Sequence, residues 1–261
     1  MRDLLRRILG IGGTGDAPDV ASRHLNLEFL PSAIYAIGDV HGCLKELRAL
    51  ERKIVDDAAS VEGRKLLVML GDYVDRGPES AGVLDHLLAP PPADFDRLCL
   101  MGNHEIMAAS FLDNPNPRSD WLQFGGSETL QSYGLPLDIF GSRKQANLRQ
   151  LIDAYIPQDH IEFLRDRPWT LSAPGWLFVH AGLRPGVPLH RQSPNDLFWI
   201  RDEFFAAPAL DGSCIVHGHT PGPEPVVTPA RICVDTGAFA TGRLTALKIT
   251  PDAAPALLYS D

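Results

Sequence analysis

The chain has 261 residues, with 24 basic and 33 acidic side chains for a formal charge of −9, and it is 44% hydrophobic and 22% charged. A chain of that length can bury roughly three quarters of its unfolded surface in a core of its own, and the composition excludes intrinsic disorder, collagen and coiled coil. Net acidity argues against a general nucleic-acid binder, which needs a basic surface to displace counterions. The segment Met1–Leu9 carries leucines on one helical face and reads as a short amphipathic helix. Gly10–Gly15 matches GxGxxG formally, but it follows a helix-like segment and runs into Asp-Ala-Pro, so it reads as a linker. Residues 1–32 are therefore taken as an N-terminal extension and 33–261 as a single domain.

From Ala33 onward, short apolar runs alternate with helical periodicity. Ala33–Ile37 is the first predicted strand, and Leu44, Leu47, Ile54 and Val55 trace one helical face through residue 58. Leu66–Leu70 is the second strand, 79–88 a helix opened by Pro78, and Leu98–Met101 the third strand. That β-α-β-α-β series predicts parallel strands with right-handed crossovers. Residues 110–170 are richer in Pro, Asn and Gly, with amphipathic segments near 145–166, and read as a helical insertion or lid. Its aromatics Trp121, Phe124 and Tyr133 are assigned to packing. Strand signals return at Trp176–Val179, Cys214–Val216, Arg231–Val234, Leu244–Ile249 and Ala256–Tyr259, whose short spacing suggests a largely antiparallel second sheet. The four cysteines, Cys43, Cys99, Cys214 and Cys233, form no CxxC pair and read as reduced thiols. With no apolar run of about 18 residues, no stable membrane insertion and a cytoplasmic location are expected.

The predicted strands end in an unusual set of polar residues: Asp39 and His41, Asp72 and Asp75, Asn103 and His104, His180, then His217 and His219. Open α/β sheets place their sites at those carboxyl ends. Carboxylate, imidazole and carboxamide donors together suit Mn²⁺, Zn²⁺ or Fe. Their number exceeds what one tetrahedral site needs, so two divalent ions, with Mn²⁺ first among the candidates, are expected.

Gly38-Asp-Val-His-Gly42, Gly71-Asp-Tyr-Val-Asp-Arg-Gly77 and Gly102-Asn-His-Glu105 resemble, in order and separation, the three signature motifs of the phosphoprotein phosphatase family of metallophosphoesterases. His180-Ala-Gly182 and Gly218-His-Thr220 are similar to its two later histidine motifs, while Trp121–Tyr133, Trp199-Ile-Arg201 and Val234-Asp-Thr-Gly-Ala238 bring the likeness closest to bacterial and phage serine/threonine phosphatases. The resemblance implies an α/β fold of the calcineurin-like type: a two-sheet β-sandwich flanked by helices. It makes Asp39, His41 and Asp72 ligands of one ion and Asp72, Asn103, His180 and His219 ligands of the other, the pair sharing a hydroxide that attacks phosphorus directly. It makes His104 the general acid, oriented by Asp75, and Arg76, Arg201 and Asn103 the phosphate-binding groups. His217 is left to support or packing. Glu105 receives no chemistry beyond a carboxylate at a helix start. Pro221 stands where related enzymes carry a further histidine, which implies a more labile first ion.

The implied activity is hydrolysis of phosphomonoesters, with a serine/threonine protein phosphatase as the leading expectation. A diadenosine tetraphosphatase-like enzyme is the alternative, because such enzymes share the metal motifs. A non-catalytic binder of phosphorylated partners is disfavoured because every motif position is filled. Expected partners are a phosphorylated protein or small phosphoester and no nucleic acid; a monomer is compatible with the sequence.

Overall fold

The computed structural model describes residues 23–135, 145–206 and 212–261, the side chains of 145–147 aside. The N-terminal helix and the GxGxxG segment read from the sequence lie outside these residues.

Eleven strands form two sheets among the described residues. They are β1 (His24–Asn26), β2 (Ala33–Ile37), β3 (Lys65–Met69), β4 (Phe95–Cys99), β5 (Thr170–Ala173), β6 (Trp176–Val179), β7 (Cys214–His217), β8 (Val226–Val227), β9 (Arg231–Cys233), β10 (Thr245–Thr250) and β11 (Ala253–Tyr259). The first sheet has the order β11-β10-β2-β3-β4 and the second β1-β5-β6-β7-β9-β8. The helices that matter below are α1 (Leu44–Asp57), α2 (Ser80–Leu88), α3 (Asn103–Asp113), α4 (Gly126–Ser132), α5 (Gln145–Tyr155), α6 (Gln158–Arg165) and α7 (Pro194–Trp199).

The parallel unit read from the sequence is present: β2 pairs with β3, and β3 with β4, all parallel. Pleating divides their side chains between two cores. Ile34, Ala36, Val68 and Leu70 point into the space between the sheets and meet Phe178, Val216 and Leu247. Tyr35, Ile37, Leu67 and Met69 point outward and meet Leu47, Leu50 and Ile54 of α1. With both faces covered, these strands read as unbroken apolar runs. A third apolar cluster, with Leu177, Val179, Phe198 and Phe204, covers the outer face of the second sheet.

Three expectations are corrected. The third strand runs Phe95–Cys99 rather than Leu98–Met101, because Arg97 is kept inside by donating to Glu51 and to the carbonyls of His86, Leu87 and Ala89. The second sheet is not largely antiparallel: β6, β7 and β9 run parallel. Long connections between them, one carrying α7, allow crossovers where hairpins were expected. The last two strands join the first sheet instead, β10 antiparallel to β2 and β11 antiparallel to β10. The sheets also reach upstream of residue 33, since β1 pairs in parallel with β5.

The segment 110–170 is helical as read, but Trp121, Leu130, Leu148, Ile152, Ile161 and Phe163 belong to the same apolar cluster as Tyr35 and Leu47. It covers the first sheet as core. All four cysteines are free. No helix among the described residues is long and apolar enough to cross a membrane.

Candidate active site

The polar residues read from the sequence converge at the carboxyl ends of β2, β3, β6 and β7 and at the start of α3. The turns that present them interlock. The carbonyl of Asp72 accepts the N–H groups of Val40 and His41 at 3.0 and 2.9 Å, and the carbonyl of Tyr73 accepts that of Gly42. Six described non-glycine residues have positive φ, and five of them are His41, Asp72, Asp75, Arg76 and His219. Left-handed backbone at side-chain-bearing positions costs of order 1–3 kcal/mol each and persists where surrounding structure over-determines it. Gly102 and Gly218 are demanded by space, because a Cβ there would collide with a carboxylate oxygen of Asp72 or of Asp39.

Glu105 provides much of that over-determination. Its Oε2 accepts the N–H groups of Asp72 and Gly102 at 2.7 and 3.0 Å, and its Oε1 accepts that of Tyr73 at 2.8 Å. It is fully buried. A macrodipole role is therefore incomplete: one carboxylate ties the Gly71–Val74 turn to the start of α3.

Two groups of possible ligand atoms share Asp72: His41, Asp72 and His104, and Asp72, His180 and His219, the atoms within each lying within 4.8 Å of one another. The hydrogen-bond pattern decides what such a cluster can hold. His41 Nδ1 lies 2.8 Å from the carbonyl of Val74, and His180 Nδ1 lies 2.9 Å from that of Leu70. A carbonyl can only accept, so each Nδ1 carries the proton and each Nε2 presents a lone pair inward. Those lone pairs approach the Asp72 carboxylate at 3.5 and 3.4 Å. Asn103 Oδ1 sits 2.7 Å from His180 Nε2 and 3.0 Å from His219 Nδ1. Burial pushes His41 down to about 3 and His219 to about 2, and lowers His180, keeping all three neutral at physiological pH. The lone pairs of His41 and His180 converging on the Asp72 carboxylate fit divalent cations, and carbonyl-held imidazoles are how such ligands are oriented.

Asp39 belongs to neither group. Its carboxylate accepts the N–H of His219 at 3.0 and 3.2 Å and faces the buried Asp235, and burial together with the charges of Asp235 and Asp72 raises its affinity for a proton. Burial, with the charge of Asp72, pushes Asp235 up to about 6, while the hydrogen bond shared with Asp39 pulls the other way. Asp235 was missed in the sequence, although it follows a strand as Asp39 and Asp72 do, within Val234-Asp-Thr-Gly-Ala238. His217 is also outside both groups. It is buried, with Nδ1 on the carbonyl of Gly218 and Nε2 accepting from Arg231.

His104 Nδ1 donates to Asp75 Oδ2 at 2.6 Å. Burial of the ring disfavours its charged form, but Asp72 and Asp75 outweigh it and raise the affinity for a proton. Asp75 is itself held from a segment 46 to 54 residues away, accepting from Trp121 Nε1 at 2.7 Å and from Thr129 Oγ1 at 2.7 Å. The assignment of Trp121 to packing alone is thus corrected, whereas Phe124 is exposed. Removing the indole donor by Trp121→Phe is expected to lower turnover about tenfold, the scale of one hydrogen bond to a charged group. The alkaline limb of the pH–rate profile should move up, because a carboxylate with one donor fewer holds the histidine proton more tightly. A profile identical to the parent's would reduce Trp121 to packing.

Arg76 donates to His41 Nε2 at 2.9 Å and to His104 Nε2 at 3.0 Å, and its guanidinium lies 4.8 Å from the Phe239 ring. Arg201 precedes the helical turn Asp202–Phe205, is exposed, and lies close enough to His219 to disfavour its protonation.

Residues 32–242 match the family model described as calcineurin-like phosphoesterase, and the chain belongs to that family. It is 29% identical over 154 residues to the symmetrical bis(5'-nucleosyl)-tetraphosphatase of Aromatoleum aromaticum, spanning 59% of this chain and 45% of that protein, so the match takes in about half of that relative's length. It is 26% identical over 230 residues to the asymmetrical bis(5'-nucleosyl)-tetraphosphatase PrpE of Bacillus thuringiensis, spanning 81% of this chain and 88% of that one. Its fold is like that of the crystal structure of a candidate diadenosine tetraphosphatase, with TM-score 0.62 and 21% identity over 90% of this chain and 97% of the other.

Proposed function

We propose that this calcineurin-like phosphoesterase is a metal-dependent hydrolase of dinucleoside polyphosphates. The observation that carries the hydrolytic reading is the convergence of unprotonated imidazole, carboxamide and carboxylate acceptors on Asp72, next to a carboxylate-backed histidine. The substrate class is supported by the activities named for the two curated relatives. Their names favour the alternative expected from the sequence over the serine/threonine phosphatase that led it.

Asp72, Asn103, His180 and His219 would hold one divalent cation, and Asp72 and His41, with Asp39 nearby, the other. Nitrogen and oxygen donors suit Mn²⁺, Zn²⁺ or Fe, with Mn²⁺ the first to test. Bound there, such cations supply a water acidic enough to attack at neutral pH and stabilise charge on the phosphoryl oxygens.

The chain's own groups account for binding and proton delivery. Arg76, beside His41 and His104, and Arg201, near His219, offer forked donors that match phosphoryl oxygens. A phosphoryl oxygen competes for the Arg76 N–H groups now given to His41 and His104, and that exchange frees His104 Nε2 to carry a proton. Asp75 fixes the ring so that Nε2 faces the phosphate. Water oxygen bonds to phosphorus as the P–O bond to the departing nucleotide breaks, and His104 protonates the departing oxygen. One proton of the water is released.

A second reading, phosphomonoester hydrolysis including phosphoserine and phosphothreonine in proteins, is favoured by the His104–Asp75 pair, since an alkoxide needs a general acid more than a nucleotide does. An assay with added Mn²⁺ should compare diadenosine tetraphosphate, phosphoserine and phosphothreonine peptides and p-nitrophenyl phosphate. The dinucleotide is expected to give the highest kcat/KM. Preference for the peptides would overturn the first reading in favour of the second.

A further inference from the structure

Two large aromatic rings are left 41% exposed at the rim of an otherwise buried site. Phe239 stands edge-on to His41, with ring centres 5.4 Å apart. Trp199 stands edge-on to His219, at 6.2 Å. The two imidazoles belong to different ligand groups that share Asp72, so each ring borders a group of its own. Each ring is accompanied by an arginine: Arg76 over Phe239 at 4.8 Å, and Arg201 two residues beyond Trp199. Trp199 is also held in place, because α7 is capped by reciprocal bonds between Ser193 and Asp196.

Exposed apolar rings scattered singly over a surface need no explanation. Two of them, each beside an arginine and each against a histidine of a different ligand group, match a ligand with a flat base at each end and phosphates between. We infer that Trp199 and Phe239 are stacking platforms for the two nucleobases of the substrate, making them specificity-determining residues that a phosphopeptide would not use. The inference rests on the dinucleotide reading above, and extends it from the reacting phosphate to the two ends of the molecule. Base–aromatic stacking contributes about tenfold or more in affinity per base and tolerates any base.

Calorimetric binding of ADP and of pyrophosphate to the full-length, Mn²⁺-loaded protein tests it, because the two ligands share a diphosphate and differ in the nucleoside. The wild type should bind ADP about tenfold more tightly than pyrophosphate. Trp199→Ala combined with Phe239→Leu should bring the ratio of the two dissociation constants close to one, while Trp199→Phe should preserve it. Pyrophosphate affinity in each variant reports whether the phosphate site is intact. A wild-type ratio near one, or a ratio unchanged in the double variant, overturns the platforms. Failure of the dinucleotide reading looks different: the ADP advantage is present and sensitive to the double substitution, yet diadenosine tetraphosphate is not hydrolysed.

Discussion

Replacing Asp72 by Asn is expected to remove divalent-cation binding and activity together. The substitution isolates charge. Asp72 lies at φ 53°, a backbone region that asparagine tolerates, and an amide oxygen can still accept the His104 N–H now bonded at 3.0 Å. What disappears is the negative charge shared by both ligand groups. Loss of a partner that merely orients a metal ligand costs 10- to 100-fold, so loss of a shared ligand should cost more than about 100-fold in both Mn²⁺ affinity and kcat/KM. Titration with Mn²⁺ provides a readout independent of turnover. Two ions bound with the parent's affinity would refute the role of Asp72 as the shared ligand.

The second large effect concerns His104. His104→Ala should retain cation binding, since none of the inward-facing bonds of His180, His219 or Asn103 involves the His104 ring. Turnover should fall by roughly 10²–10⁴ on phosphoserine peptides, the usual range for general acid catalysis. The loss should be smaller on diadenosine tetraphosphate or p-nitrophenyl phosphate, whose departing groups are weaker bases. The sign of the pH effect follows from the raised proton affinity. A histidine whose affinity for a proton is raised by Asp72 and Asp75 is competent below its pKa and fails as pH rises through it. The alkaline limb should therefore lie above the ordinary histidine value of 6.5 in the parent and vanish in the variant. Equal losses on all substrates would remove His104 as the acid.

Much of the site was legible because its residues follow strands. An apolar run that ends in a polar side chain marks both a strand terminus and what it presents, and that signal identifies Asp39, Asp72, Asn103 and His180. The same signal precedes Asp235, inside the Val234–Ala238 stretch that carries part of the family likeness. Asp39 shows the limit of the signal. It was correctly located at a strand end, but its carboxylate turns to the N–H of His219, 180 residues away, and to Asp235, pairings that only the assembled sheets create.

The sequence alone determined the parallel β2-β3-β4 unit and the order of the strand-end motifs, which rest on local information, namely periodicity, chain order and residue type. The pairing of Asp75 with His104 was implied by the family resemblance. The tertiary structure decided that β10 and β11 complete the first sheet, that the second sheet has a parallel centre, and that helices 110–170 form core over the first sheet. It also decided which groups hold the catalytic ones: Trp121 and Thr129 on Asp75, and Glu105 across two turns. The physical reason is common to all of these. Alternation of apolar residues shows that a face is covered, while the identity of the covering segment depends on contacts between residues far apart in the chain. A buried carboxylate needs donors wherever they come from, and nothing within its own few residues names them.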